Sequence, residues 1–270
     1  MPICGVLGWP VRHSRSPAMH EAGYAALGLD DWRYQLLPVP PELFEETVRA
    51  LPGAGFAGAN VTIPHKEPAL ALADEATDSA RAIGAANTLT FLPDGRIHAD
   101  NTDAPGLIDA LPFDPAGKTA VVLGAGGSAR AVVWALAQAG ADVLVWNRTA
   151  ERAERLCAEI GGRPVESPPP RADLLVNTTS VGLQWGEDPF KALPLDADAL
   201  HGYPCLVDLV YGSRPTALTS AARDAGATVV DGLEILVRQG ARSFERWTGR
   251  AAPLDVLRAA ARGESAADPA

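Results

Sequence analysis

Two α/β units, the second a doubly wound Rossmann-type fold, are what the sequence predicts, and three observations predict them. Short apolar, β-branched runs alternate with alanine-rich helical runs along nearly the whole chain, the pattern of a mostly parallel sheet faced by helices. The stretch TAVVLGAGGSAR at 119–130 sets a strand directly against a glycine turn and the start of a helix. The length of 270 residues, 47% hydrophobic and 21% charged, is enough for one large domain or two modest ones.

Taken in order, 3–9 reads as a strand, 17–29 as a helix and 32–39 as a second strand. The run 41–51 reads as a helix with proline at its start and Phe44, Val48 and Leu51 on one face. A strand over 56–62 runs into Pro64, and 65–83 reads as helical but interrupted at Pro68. Strands over 87–91 and 96–99 flank a Pro-Asp-Gly turn at 93–95. From Thr119 the alternation restarts with strand 119–123, a helix stopping at Gly140, strand 142–146 and helix 149–160. A proline-rich loop at 167–171 precedes strands 173–176 and 206–210, helix 215–225 and strand 228–230. Two helices close the chain: one carries Leu233, Leu236, Val237, Gly240, Phe244 and Trp247 on a single stripe, and the other spans 253–262. A boundary falls around 103–118, and periodicity alone leaves open which unit the closing helices join. The tail 263–270 reads as disordered.

The glycine stretch carries the clearest chemistry. Gly124 suits the tight turn of a dinucleotide fingerprint, Gly126 lets backbone approach a pyrophosphate, and the small Ala129 lets helix pack on strand. The helix start offers N–H groups to phosphates. Where an NAD-specific fold ends its second strand in a carboxylate, this chain has Asn147-Arg148-Thr149, with Arg152 one turn on. Guanidinium groups suit a ribose 2′-phosphate, which points to NADP; Arg152 reads equally as a solvated helix residue.

Bulk properties exclude other classes. A net charge of −10 and a pI near 5.0 disfavour nucleic-acid binding. Anionic ligands would then need local cations and backbone N–H groups. No run approaches the roughly 20 apolar residues of a membrane span, and the first residues lack a signal-peptide pattern, so a cytoplasmic location is expected. Three widely spaced cysteines, Cys4, Cys157 and Cys205, fit neither a disulfide framework nor a zinc site, and no metal is expected.

Hydride chemistry needs a group that handles a proton at the substrate oxygen. Two polar segments of the first half offer one: Asn60 to Lys66 (NVTIPHK), ending in a cationic tip, and Asp100 to Asp103 (DNTD). Each, taken singly, also reads as a solvated turn. A third, HSRSP at 13–17, sets Ser14 and Ser16 before a helix as a carboxylate cradle; on the residues alone Ser16 reads as an N-cap followed by Pro17.

Together SRSP, NVTIPHK, ADNTD, GAGGSAR, NRT, NTTS and GLEILVRQGA resemble the shikimate dehydrogenase family over essentially the whole chain. The resemblance implies NADPH-dependent, reversible reduction of 3-dehydroshikimate to shikimate in aromatic amino acid (chorismate) biosynthesis. It implies a substrate domain of 1–103 plus 233–262, a Rossmann domain of 104–232, and a site in the cleft between them. Lys66 and Asp103 match the catalytic pair. Ser14, Ser16, Asn60, Thr62, Asn87, Asp103, Tyr211 and Gln239 match substrate positions. Gly124, Ala125, Gly126, Gly127 and Ser128 match the pyrophosphate loop, and Asn147, Arg148, Thr149 and Arg152 the NADP-selecting segment. Asp78, Leu209 and Gly232 match lesser cofactor positions. The partners implied are shikimate or 3-dehydroshikimate, with a monomer or homodimer and neither nucleic acid nor membrane. Departures are small: His65 precedes the lysine, and Leu183 and Leu209 stand where methionine is frequent.

Four other readings compete, one of them, more distant, an amino-derivative dehydrogenase of secondary metabolism. A quinate/shikimate dehydrogenase tolerant of NAD is the nearest, and the paired serines and arginines speak against it. A methylenetetrahydrofolate dehydrogenase shares a lysine-bearing first domain but not the serine pair or the NTD segment. A non-catalytic NADP-binding regulator would not need Lys66 or Asp103.

Overall fold

The computed structural model describes residues 1–184, 186–212 and 214–264, so most of the tail expected to be disordered lies outside the described residues. The chain divides into two compact units, Met1–Gly106 with Leu236–Ala270, and Leu107–Ile235. Both are α/β, the second with Rossmann-type topology.

The first unit runs β1 (Ile3–Gly8), α1 (Ser16–Ala26), β2 (Arg33–Pro38), α2 (Phe44–Ala50, entered through a 3₁₀ turn at Pro41–Leu43), β3 (Phe56–Val61), α3 (Lys66–Ala71), β4 (Glu75–Ala76), α4 (Asp78–Ile83), β5 (Thr88–Phe91) and β6 (Ile97–Asp100). Its sheet has the order β2-β1-β3-β5-β6-β4. The strands joined through helices pair in parallel, as does β4 with β6. β5 runs antiparallel to both neighbours, because Pro93-Asp94-Gly95 turns the chain back on itself. Gly95 takes the positive φ of 85° the turn requires, and the Arg96 N–H donates to Asp94 Oδ1 at 3.1 Å.

Pro68 does not interrupt a helix. It is the third residue of α3, in the first turn, where the missing N–H has no intrahelical acceptor to lose. The break comes later, between α3 and α4, where β4 joins the sheet edge.

Strand alternation sorts the core into two faces. Leu7, Ala59, Val61 and Leu89 pack with Phe44, Val48 and Ala69 on one side. Cys4, Val6 and Tyr34 pack with Tyr24 and Phe244 on the other.

The connecting helix α5 (Asp103–Ala110) leads to the second unit: β7 (Thr119–Leu123), α6 (Gly127–Gln138), β8 (Asp142–Trp146), α7 (Ala150–Ile160), β9 (Arg163–Pro164), β10 (Leu174–Asn177), β11 (Cys205–Asp208), α8 (Ala217–Asp224) and β12 (Thr228–Val230). The order β12-β11-β10-β7-β8-β9 is parallel throughout. Strand order reverses between β7 and β10, the place where such sheets bind ligands beyond their carboxyl ends. Two helices follow, α9 (Gly232–Thr248) and α10 (Leu254–Arg262). From Leu236 on they belong to the first unit, the question periodicity left open. All three cysteines are buried free thiols. Among the described residues no helix is long and apolar enough to cross a membrane.

Gly58 on β3 lies directly against Trp247 of α9. Trp247 Nε1 donates to Leu89 O at 3.1 Å across this position, and a Cβ on Gly58 would overlap that indole and come within 2.6 Å of Leu89 O. Gly58→Ala should therefore cost about 1–3 kcal/mol of stability or more through overpacking. Urea unfolding checks this, and an unchanged midpoint would contradict it.

Candidate functional site

The polar cluster of the first unit starts at the end of β3. His65, just before α3 in the chain, is buried against the start of α2: its ring stacks on Phe44 at 4.3 Å between centroids, and Nε2 lies 2.7 Å from Val39 O. Burial pushes its pKa below the usual histidine range, so the ring serves as a neutral anchor. The Ala69 N–H donates to His65 O at 2.8 Å, fixing the start of α3 and with it Lys66. The lysine side chain is only 10% exposed and donates to Asp103 Oδ2 at 2.6 Å; the Asp103 side chain is 15% exposed.

Asp103 opens α5, and Asn101 Oδ1 accepts from the Asp103 and Ala104 N–H groups at 3.1 and 3.2 Å. The other Asp103 oxygen, Oδ1, accepts from Asn87 Nδ2 at 2.8 Å. That amide also donates to Thr102 Oγ1 at 3.0 Å and Gln239 Oε1 at 3.2 Å. Its oxygen accepts from the Thr102 N–H at 2.7 Å, which fixes which way the amide faces. Gln239 is itself held by Nε2 donating to Leu236 O at 2.8 Å. Lys66, Asn87, Asp103 and Gln239, chosen from the sequence, thus form one hydrogen-bonded assembly.

Asn60 sits one layer deeper. Tyr34 Oη donates to its Oδ1 at 2.7 Å, and its Nδ2 faces Asn87 O at 3.3 Å and Thr88 Oγ1 at 3.2 Å. Its amide is therefore engaged within the protein and braces Asn87. Tyr34 stacks on the fully buried His20 at 4.3 Å, a ring kept neutral because burial lowers its pKa to about 3. Thr62 is half-buried, and its hydroxyl has no hydrogen-bond partner among the described residues.

Ser16 is not an N-cap. It is the first residue of α1, Arg15 holds the cap position without a side-chain cap bond, and the Ser16 N–H donates to Ser14 Oγ at 3.3 Å. Ser14 Oγ instead donates to Ser16 Oγ at 3.1 Å, which keeps the two hydroxyls together as a pair.

Asp100, which the sequence offered only as the start of the DNTD segment, has a bracing role of its own. It accepts from Thr77 Oγ1 at 2.8 Å and from Arg246 of α9, and Oδ1 also takes the Asn101 N–H at 2.8 Å. This clamp holds the start of the Asn101–Asp103 segment. Its signal in the sequence was a carboxylate ending a short strand, directly before Asn101-Thr102-Asp103.

In the second unit Gly124 follows β7 with φ 113°, and its N–H donates to Trp146 O at 2.7 Å. A Cβ there would meet Thr178 Oγ1 at 2.5 Å, so both backbone angle and contact demand glycine. Gly126 holds the N-cap position of α6 without any side-chain cap, and space around it is open for backbone approach. Ala125 completes the turn, Gly127 and Ser128 open α6, and Ala129 is fully buried in its first turn. After β8, Asn147 Nδ2 donates to Thr149 O at 2.8 Å. Arg148, Thr149 and Arg152 are exposed, and neither arginine has an ion-pair partner among the described residues. Glycine turn, bare helix start and free guanidinium groups without a strand-end carboxylate fit a phosphorylated dinucleotide.

The remaining positions fall apart in the chain. Leu209 and Tyr211 follow β11 in the second unit and are half-buried; Gly232 opens α9. Asp78 is the first residue of α4 in the first unit, exposed, beside the capping Thr77.

Sequence reasoning also missed Asp208. It is fully buried and accepts from Asn177 Nδ2 at 2.9 Å, the Val210 N–H at 3.1 Å and Thr216 Oγ1 at 2.7 Å. Burial pushes its carboxyl up to about 6 against the pull of those donors. A carboxylate inside the apolar run CLVDLV was the available signal.

Comparison with known proteins finds one family along most of the chain. The family model for the shikimate dehydrogenase substrate binding domain matches residues 6–89, that for shikimate / quinate 5-dehydrogenase residues 110–170, and that for the shikimate 5'-dehydrogenase C-terminal domain residues 232–262. The shikimate dehydrogenase (NADP(+)) of Methanopyrus kandleri is 44% identical, over 96% of this chain and 94% of its own. That of Methylobacterium radiotolerans is 48% identical, over 92% of each. The solved shikimate 5-dehydrogenase of Thermus thermophilus in complex with NADP(H) and shikimate is 40% identical with a TM-score of 0.86, covering 97% of this chain and 99% of that one.

Asp208 gives the protein a defined pH signature. Its carboxyl rises from an ordinary 3.8 to about 6 on folding, so the folded state holds the proton more tightly. The stabilisation from that proton is complete below pH 3.8 and is lost as pH rises through 6, about 3 kcal/mol in all. Urea titrations from pH 4.5 to 7.5 should show the wild type losing stability relative to Asp208→Asn across this window. Parallel pH profiles for the two proteins would contradict it.

Proposed function

The chain belongs to the shikimate dehydrogenase family, and from that membership we propose that it catalyses the reversible, NADP-linked interconversion of shikimate and 3-dehydroshikimate, on the route to chorismate and the aromatic amino acids. The observation that carries this reading is the buried Lys66–Asp103 pair, held from its far side by Asn87 and Gln239.

In this reading the first unit binds substrate and the second binds NADP. Ser14 and Ser16 offer paired hydroxyls to the substrate carboxylate, while Thr62, Asn87, Asp103, Gln239 and Tyr211 meet its hydroxyls. The turn from Gly124 to Ser128 holds the pyrophosphate, with Leu209, Gly232 and Asp78 as lesser contacts. Asn147, Arg148, Thr149 and Arg152 take the 2′-phosphate. NADPH, when bound, supplies hydride to the ketone carbon. Negative charge then grows on the ketone oxygen; Lys66 stabilises it and hands over a proton from Nζ. In the oxidative direction the neutral amine takes the hydroxyl proton. Asp103 aims the lysine through Oδ2 and, through the Asn87 bond at Oδ1, keeps its own carboxylate in one orientation.

The direct test is a steady-state assay of shikimate and quinate against NADP and NAD. Shikimate with NADP should be the strongly preferred combination; preference for quinate or NAD would favour the quinate/shikimate reading instead. Lys66→Ala should lower kcat by about 10²–10⁴-fold with a much smaller change in KM for shikimate, since its main effect is on transition-state charge. An unimpaired kcat removes Lys66 from this role. Arg148→Ala should raise KM for NADP by about tenfold and leave KM for NAD nearly unchanged; equal effects on both would mean that the arginine does not read the 2′-phosphate.

A further inference from the structure

Asp208 is fully buried at the end of β11, and no cation pairs with it among the described residues. An apolar side chain of similar size would avoid the cost of burying a charge. Its three donors are instead drawn from the irregular segments that follow two neighbouring strands. Asn177 ends β10, Val210 lies two residues beyond the carboxylate, and Thr216 caps α8 by accepting from the Thr219 N–H at 3.1 Å.

Each donor is tied to more than Asp208. Asn177 O accepts the Leu209 N–H at 3.0 Å, and Asn177 Oδ1 accepts from the Thr179 N–H at 3.1 Å and Thr179 Oγ1 at 2.7 Å. The adjoining Thr178 donates to Leu123 O at 2.7 Å and stands where a Cβ on Gly124 would be. On the other side, Leu209 O and Val210 O lie 2.6 and 2.9 Å from the place of a Cβ on Gly232. Gly124, Leu209 and Gly232 therefore touch one braced assembly whose single shared acceptor is Asp208.

We propose that Asp208 is a positioning residue of the NADP site: by accepting from Asn177, Val210 and Thr216 it braces the turns after β10 and β11 against each other, fixing Leu209 and, through Thr178, the glycine turn. This rests on reading the second unit as the NADP unit. Geometry is what the carboxylate supplies. An asparagine could keep both bonds at Oδ1 and meet Thr216 Oγ1 with its N–H₂ once that hydroxyl turns. A leucine could keep none.

The test compares Asp208→Leu and Asp208→Asn with the wild type for kcat, for KM of NADP and for NADPH binding by fluorescence, each variant first shown to unfold cooperatively. Asp208→Leu should lose about tenfold or more in kcat and in NADPH affinity while KM for shikimate moves little, and Asp208→Asn should return to within about threefold of wild type. A purely structural role would lower the melting temperature of Asp208→Leu and leave the kinetics of the folded protein intact; that result overturns the proposal. Equal loss in both variants also overturns it, since charge rather than geometry would then be in use. Should Asp208→Leu fail to fold, Thr216→Val removes one of the three bonds; it should cost about threefold or more in NADPH affinity, with Thr216→Ser as wild type, and no change overturns the proposal. Wild-type turnover of shikimate with NADP tests the underlying reading separately. If turnover is absent, NADPH binding by the variants still decides the role of Asp208.

Discussion

The first unit depends on keeping one ion pair, Lys66 with Asp103, almost out of water. Burying two charges costs several kcal/mol per ion unless the remaining lone pairs and protons find partners. The structure meets that demand by satisfying the second Asp103 oxygen with Asn87, fixing Asn87 with Thr102 and Gln239, and bracing it from beneath with Asn60 and Tyr34. Every partner comes from a different segment: β2, the end of β3, the start of β5, the segment after β6, and α9. The antiparallel hairpin is what makes this possible. Register sets Asn60, Thr88 and Asp100 in one row across β3, β5 and β6. The residue entering β5 therefore lies beside those leaving β3 and β6, where a third parallel strand would have put its far end.

The second unit solves a different problem with an all-parallel sheet. The protein carries a net charge of −10 yet has to hold a polyanion in the proposed reading, so attraction has to be local. The carboxyl ends of β7 and β8 supply it as backbone N–H groups and exposed arginines. The ends of β10 and β11 supply bracing, through Asn177, Thr178 and Asp208. Attraction and positioning are thus divided between the two halves of one sheet edge.

How much of this was legible follows from how local each feature is. The glycine turn, the arginines after β8 and the helix stop at Gly140 are contained in a dozen residues each, and their chemistry could be read directly. The Lys66 and Asp103 segments were visible as polar clusters, but their meaning came from the resemblance, because nothing in either segment says that it faces the other. Pro68 misled because the rule about proline in helices depends on the helix start, which lies only two residues before it. Ser16 misled in the same way: SRSP suits an N-cap, and the structure starts the helix one residue sooner. The roles of His65, Asp100 and Asp208 could not be read locally, because each acquires its role from a residue 26 or more positions away, Val39, Arg246 and Asn177 respectively.

Three carboxylates, two buried and one nearly so, show how the fold separates charge that is used from charge that is structural. Asp103 faces Lys66 and Asp100 faces Arg246, each with neutral donors filling the remaining valences. Asp208 has only neutral donors, and burial pushes its carboxyl up to about 6. A carboxylate set against a cation can steer that cation, and Asp103 steers the lysine proposed to move the proton. A carboxylate set against hydroxyl, amide and backbone N–H can only hold chain segments in place. It does so at a cost in stability near neutral pH that an apolar side chain would spare. That a residue of this second kind lies where the glycine turn, the β11 turn and the start of α9 converge is the physical reason to look there for the control of cofactor placement.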